Sequence, residues 1–139
     1  MPFSDEQLSD IYDRTDGRCH ICGKKLAFKN YNCPGARGAW EVEHSKPKAR
    51  GGTNRLNNLY PACITCNRSK GAGSTRAARA KHGRTRAPMS AAKKQAVRQE
   101  NAVAGGLLLG GASLLINKKL SPIAVAIGAI AGYNKDPEN

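Results

Sequence analysis

The sequence predicts an α+β fold: a small domain stapled by cysteine pairs, then a basic arm, then an apolar helical hairpin. Three observations predict it. A capped amphipathic helix pattern opens the chain. Two Cys-x-x-Cys pairs, Cys19 with Cys22 and Cys63 with Cys66, enclose two short extended segments. The tail carries two Gly-rich apolar stretches, residues 102–116 and 123–133. The expected segments are 1–75 for the stapled domain, 76–101 for a partly helical basic linker or arm, and 102–139 for the hairpin and a polar end.

The 139 residues have room for about one domain and an appendage. Aromatic residues make up only 5% of the chain. A core that small needs a staple, and a metal is one kind. The net charge is +13, and it is unevenly placed. Between Glu43 and Glu100 there is no acidic residue, while fourteen Lys and Arg fall in that interval. Such a balance points to a polyanionic partner. The five cysteines are an odd count for a disulfide framework. The start, MPFSDEQLSD, has neither the basic region nor the apolar run of a secretory signal. A cytoplasmic or other reducing compartment is the expectation, and there Cys-x-x-Cys pairs suggest metal.

Taken in order, Ser4-Asp5-Glu6-Gln7 has the capping-box pattern, with Asp5 and Glu6 at the positive end of the helix dipole. Leu8, Ile11 and Tyr12 share one face, and Asp16-Gly17 ends the helix. The Cys19-His20-Ile21-Cys22-Gly23 knuckle alone reads as a metal grip, a redox pair or two loose thiols. With Cys63 and Cys66 at the same spacing, four sulfurs complete a closed tetrahedral Zn²⁺ site of the structural type. Four sulfurs suffice, so His20 is expected to be exposed. Cys33 receives no role, and His82 reads as part of a basic face. Residues 39–44 form a short strand in which Trp40, Val42 and His44 alternate with Glu41 and Glu43. Glu43 and His44 then point to opposite faces unless the strand bends. Residues 45–54 read as a loop, residues 56–62 as a second extended segment, and a helix starts near Ile64.

Glu43, His44 and Asn67 together suggest chemistry. Histidine is the usual general base near neutral pH. A carboxylate and an amide oxygen are hard donors suited to Mg²⁺ or Mn²⁺. An ion held by two side chains keeps positions open for phosphate oxygens and water. The stretch resembles the HNH endonucleases. The resemblance runs through Glu43-His44-x-x-Pro47, Gly51-Gly52, Asn58-Leu59 and Cys63-x-x-Cys66-Asn67-Arg68-x-Lys70-Gly71, with the upstream Cys19-x-x-Cys22. It implies a ββα-metal fold, with a β-hairpin and a helix around a catalytic ion. It further implies His44 as the base that activates water, and Glu43 and Asn67 as ligands of a catalytic Mg²⁺ or Mn²⁺. Asn58 becomes the residue that holds the base loop, and the four cysteines become the structural zinc site of one branch of the family. Position 43 is Glu where Asp is common, position 67 is Asn where His gives the family its name, and Ser45 stands where an apolar residue is usual.

The expected function is metal-dependent hydrolysis of DNA phosphodiester bonds, with no small-molecule cofactor. Lys46, Lys48, Arg50, Arg55, Arg68, Lys70, Arg76 and Arg79 are the expected phosphate contacts, neutralising the backbone without reading bases. The alternative is a non-catalytic zinc-stabilised nucleic-acid-binding module, with or without a membrane tether through the C-terminal hairpin. In the tail, Gly106 with Gly110 and Gly128 with Gly132 form G-x-x-x-G pairs that let helices approach closely. Neither half reaches the ~20 apolar residues of a membrane span. Membrane association, self-association through residues 102–133, and packing on the protein's own body all remain open for this segment.

Overall fold

The computed structural model describes residues 3–116, and side chains within residues 3–104. The fold is α+β. Helices α1 (Asp5–Asp13), α2 (Ile64–Lys70), α3 (Thr75–Ala80) and α4 (Ala91–Ile116) accompany one antiparallel pair, β1 (Trp40–His44) and β2 (Leu59–Cys63). The chain divides into two units after Ala91. The first, Met1–Ala91, contains both strands and three of these helices. Of the second, α4 is the described element. It runs through residue 102 without a break, joining the end of the expected basic arm to the first apolar stretch. Residues 117–133 of the expected hairpin lie outside the described residues. Among those described, no helix is long and apolar enough to cross a membrane.

The capping box at the start of α1 forms as its residues dictate. Gln7 N donates to Ser4 Oγ at 3.2 Å, and Ser4 N donates to Gln7 Oε1 at 3.1 Å. Two orphan amides are thereby satisfied. The helix buries Leu8 and Ile11. Tyr12, one turn on from Leu8, donates from its hydroxyl to Leu26 O at 2.8 Å and packs its ring against Phe28 and Trp40. Trp40 is fully buried at the start of β1, and its Nε1 donates to Phe28 O at 3.1 Å. Tyr31 completes this aromatic cluster. Three rings around one tryptophan form the centre of a core that also includes Ile21, Leu26, Leu59 and Ala62.

The strands pair in the register Trp40↔Cys63, Glu41↔Ala62, Val42↔Pro61, Glu43↔Tyr60 and His44↔Leu59. Strand β2 is shorter than the expected segment at its start, because Leu56–Asn58 forms a 3₁₀ turn. The loop from Ser45 to Asn58 closes at the glycine pair. Gly51 adopts φ +79°, in the left-handed region that favours glycine. A Cβ on Gly52 would stand 1.8 Å from the Lys46 carbonyl oxygen, so no side chain fits there. Cys63 both ends β2 and caps α2. The second cysteine pair therefore sits at the strand–helix junction, and Asn67 and Lys70 follow on the short helix that packs on the sheet.

Candidate active site and metal centre

The four cysteines of the two pairs come together. Their sulfurs lie within 4.8 Å of one another, with Cys22 Sγ 3.9 Å from Cys63 Sγ. Tetrahedral zinc with Zn–S near ~2.3 Å places its sulfurs ~3.8 Å apart, so the donor set fits Zn²⁺. Cys19 and Cys66 are buried, the other two half-buried. A hydrogen bond with Cys63 and then burial push the Cys19 thiol well above its ordinary value. Burial, followed by the Cys19 charge, pushes Cys66 up to about 12. Crowded, desolvated thiols of this kind resist ionisation until a cation offsets the charge. Cys33 is exposed and outside the cluster. His82 Nε2 comes to 3.6 Å from Cys66 Sγ.

His20, expected at the surface, is fully buried. Its backbone N donates to Pro61 O at 2.9 Å, which ties the knuckle to β2. Its ring stacks on Tyr60 with centroids 4.8 Å apart. Arg79 donates through Nε to His20 O and through Nη2 to His20 Nδ1, both at 2.9 Å. Guanidinium cannot accept, so Nδ1 is the acceptor and the proton sits on Nε2. That Nε2 lies 2.7 Å from Glu43 Oε2, a short contact that is poorly aligned as a hydrogen bond. Burial lowers the pKa of His20 against the pull of Glu43, and Arg79 and Lys70 lower it further, so the ring is neutral.

Glu43 and His44 do separate, as strand alternation requires. Glu43 is 2% exposed, and its Oε1 lies 2.5 Å from Lys70 Nζ. Lys70 also donates to His44 O at 3.1 Å. Burial raises the pKa of Glu43, but the contacts from His20 and Lys70 outweigh it, and the carboxyl lies below its ordinary value. The side chain is a carboxylate.

His44 is half-buried and turns to the loop. Its Nε2 meets Asn54 Oδ1 at 2.9 Å. With that oxygen accepting, Nε2 carries the proton and Nδ1 keeps its lone pair. Asn58 pins the same loop. Its Oδ1 accepts from Lys46 N at 2.7 Å, and its Nδ2 donates to Lys46 O at 3.1 Å and to Thr53 O at 2.9 Å. Ser45 N donates to Asn58 O as well. Thr75 at the start of α3 donates to Ser45 O at 3.0 Å.

The structure separates residues that the sequence groups together. Glu43 and Asn67, expected as one ligand pair, are engaged separately. Asn67 Nδ2 donates to Glu41 Oε2 at 2.8 Å, and Glu41 Oε1 takes Arg68 Nη2 at 2.9 Å. The donor chemistry suits Mg²⁺ or Mn²⁺, but an ammonium already stands on Glu43, so the residues as arranged do not fit such an ion. Among the expected phosphate contacts, Lys70 is buried and Arg79 is bound to His20. Lys46, Lys48, Arg50, Arg55, Arg68 and Arg76 are exposed. Sequence reasoning did not find Asn54, Glu41 or His20. Asn54 carries one weak signal, a polar residue just past the Gly51-Gly52 turn that returns the loop towards His44.

Residues 19–73 match the family model of the HNH endonucleases. Both cysteine pairs, the loop from Ser45 to Asn58 and α2 fall inside that span. No curated protein and no solved structure matches the chain.

Proposed function

We propose that this chain is an HNH-type endonuclease that hydrolyses DNA phosphodiester bonds, with His44 as the general base. The observation that carries this reading is the His44 environment, inside a span that matches the HNH family. Asn54 fixes the ring through Nε2, and Nδ1 is left to take a proton from water. Asn58 holds the loop in which both partners sit. Exposed Lys46, Lys48, Arg50 and Arg55 lie on that loop and suit the phosphates of a backbone. The zinc staple holds β2 and α2 against the knuckle and takes no part in proton transfer.

By the resemblance Glu43 and Asn67 would hold Mg²⁺ or Mn²⁺, which would supply charge stabilisation at the phosphoryl centre, whereas in this structure Glu43 is held by Lys70 and Asn67 by Glu41. The test is plasmid cleavage with Mg²⁺ or Mn²⁺ by the zinc-loaded chain. Parent protein converts supercoiled plasmid, and His44→Ala loses at least ~100-fold in rate, the scale of general-base catalysis. Equal cleavage by His44→Ala refutes the assignment of the base.

One observation favours a second reading. Glu43 and Asn67 are each satisfied by other side chains, as in a zinc-stabilised nucleic-acid binder without turnover. That protein retains DNA in a salt-dependent way and shows no metal-dependent nicking.

A further inference from the structure

His82 lies outside the span that matches the HNH family, and the sequence places it on a basic face. The structure sets it against the cysteine cluster. Helix α3 closes in a Schellman motif: Gly83 N donates to Ala80 O at 3.0 Å, and Arg84 N donates to Arg79 O at 3.1 Å. Gly83 takes φ +67°, the left-handed conformation that this turn requires. Three residues of one short segment thereby meet the cysteine pairs. Arg79 donates to His20 O and Nδ1. Arg84 Nη1 would stand 2.7 Å from a Cβ on Gly23, next to Cys22. His82 Nε2 lies 3.6 Å from Cys66 Sγ.

That convergence has a chemical reason. Four thiolates around one Zn²⁺ leave net negative charge on the sulfurs, and N–H donors and cations around them offset it. The Cys19 sulfur meets the backbone N–H groups of Cys22 and Cys63. For Cys66 the donor from outside the cluster is His82. His82 is exposed and borders a cavity of about 180 Å³ between α2 and α3, so burial of its ring does not hold it there. It is not a fifth ligand either. Among the described residues, the donor atoms that converge within 4.8 Å of one another are the four sulfurs alone, and four complete a structural site.

We propose that His82 donates its Nε2–H to the Cys66 thiolate of the zinc-loaded protein and thereby strengthens zinc binding. A zinc-bound thiolate carries no proton and can only accept, so the imidazole proton sits on Nε2. The bond draws negative charge from the sulfur into the ring. It also ties the end of α3 to the metal centre. Residues 76–84, expected in the basic arm, then belong to the staple. His82 acts through Cys66 and is a positioning residue.

The experiment measures zinc affinity of the full chain by competition with a chromogenic chelator, for the parent, His82→Phe and His82→Gln. His82→Phe keeps a flat ring and removes the donor. It weakens zinc binding by about 10- to 100-fold, the usual range for groups that hold a metal's ligands. His82→Gln returns an N–H at similar reach and recovers most of that loss. Cobalt(II) loaded in place of zinc gives the second readout. Its sulfur-to-cobalt charge-transfer band moves to longer wavelength in His82→Phe, because a thiolate without its hydrogen bond is the stronger donor, and moves back in His82→Gln. Zinc binding by His82→Phe that equals the parent's overturns the proposal. So does a weaker affinity with no band shift, which packing alone would produce, and so does His82→Gln that is as weak as His82→Phe. A parent that binds no zinc overturns it as well. If neither variant folds, long-range ¹H–¹⁵N NMR of the zinc-loaded parent decides at mildly alkaline pH, where an imidazole is neutral. The Nε2–H tautomer at His82 supports the proposal, and the Nδ1–H tautomer overturns it. None of these readouts depends on DNA cleavage.

Discussion

Asn58 offers the sharpest test of how the loop after His44 is held. Its side chain makes three hydrogen bonds: one accepted from Lys46 N, and two donated to Lys46 O and Thr53 O. Each such bond contributes about 0.5–1.5 kcal/mol net. The site is half-exposed, so water replaces part of what Asn58→Ala removes. The expected loss is about 2 kcal/mol, a factor of roughly 30 in the folded-to-unfolded ratio. Asn58→Asp is the more telling variant. It keeps the shape and the acceptor, but it replaces the donor with a carboxylate oxygen that faces the carbonyl oxygens of Lys46 and Thr53. Its loss should equal or exceed that of alanine. Urea unfolding of zinc-saturated protein measures both. Because Asn54 and His44 sit on this loop, cleavage should fall in kcat more than in KM. The reasoning fails if Asn58→Ala lies within about 0.5 kcal/mol of the parent, the range of an ordinary surface change. It fails equally if Asn58→Asp is no less stable than the parent.

Other outcomes follow from the same geometry. Cys66→Ser, or treatment with a strong chelator, removes zinc and lowers the melting temperature, while His44→Ala keeps equimolar zinc and the parent's melting curve. Metal analysis and circular dichroism separate the two. Trp40→Ala empties the centre of the aromatic cluster. It costs about 3–5 kcal/mol, and loss of a cooperative thermal transition is the expected sign. Alanine at both Lys48 and Arg50 weakens DNA retention and makes its logarithmic salt slope shallower by about one for each phosphate no longer neutralised. An unchanged slope takes these two residues out of the interface.

Much of the fold was legible because its signals are local. The capping box, the strand alternation around Trp40 and the helix after Cys63 each follow from residues within a few positions of one another. The four-cysteine site is long-range, yet readable, because two pairs of equal spacing imply one tetrahedral centre. The charged interior was not readable. His20 is buried because Tyr60 stacks on it, Glu43 meets its Nε2 and Arg79, 59 residues away, meets its Nδ1. No local pattern encodes that convergence. Lys70 and Arg79 looked like phosphate contacts because composition reports charge without direction. The pairing of Asn67 with Glu41 rather than Glu43 turns on which of two alternate carboxylates stands opposite one turn of α2, a matter of register.

The two halves of the cysteine cluster lie far apart in the chain, with Cys22 and Cys63 separated by 41 positions. A metal there acts as a crosslink that closes a long loop. By the chain-entropy reasoning used for disulfides, closing a loop of that length limits the unfolded ensemble by about 4 kcal/mol. The loop contains β1, His44 and the exposed stretch from Thr53 to Arg55. A single backbone cut in that stretch would leave two fragments, each carrying one cysteine pair and one strand of the sheet. Zinc then becomes the bond between them: a nicked protein stays whole while the ion is bound, and comes apart when it is withdrawn.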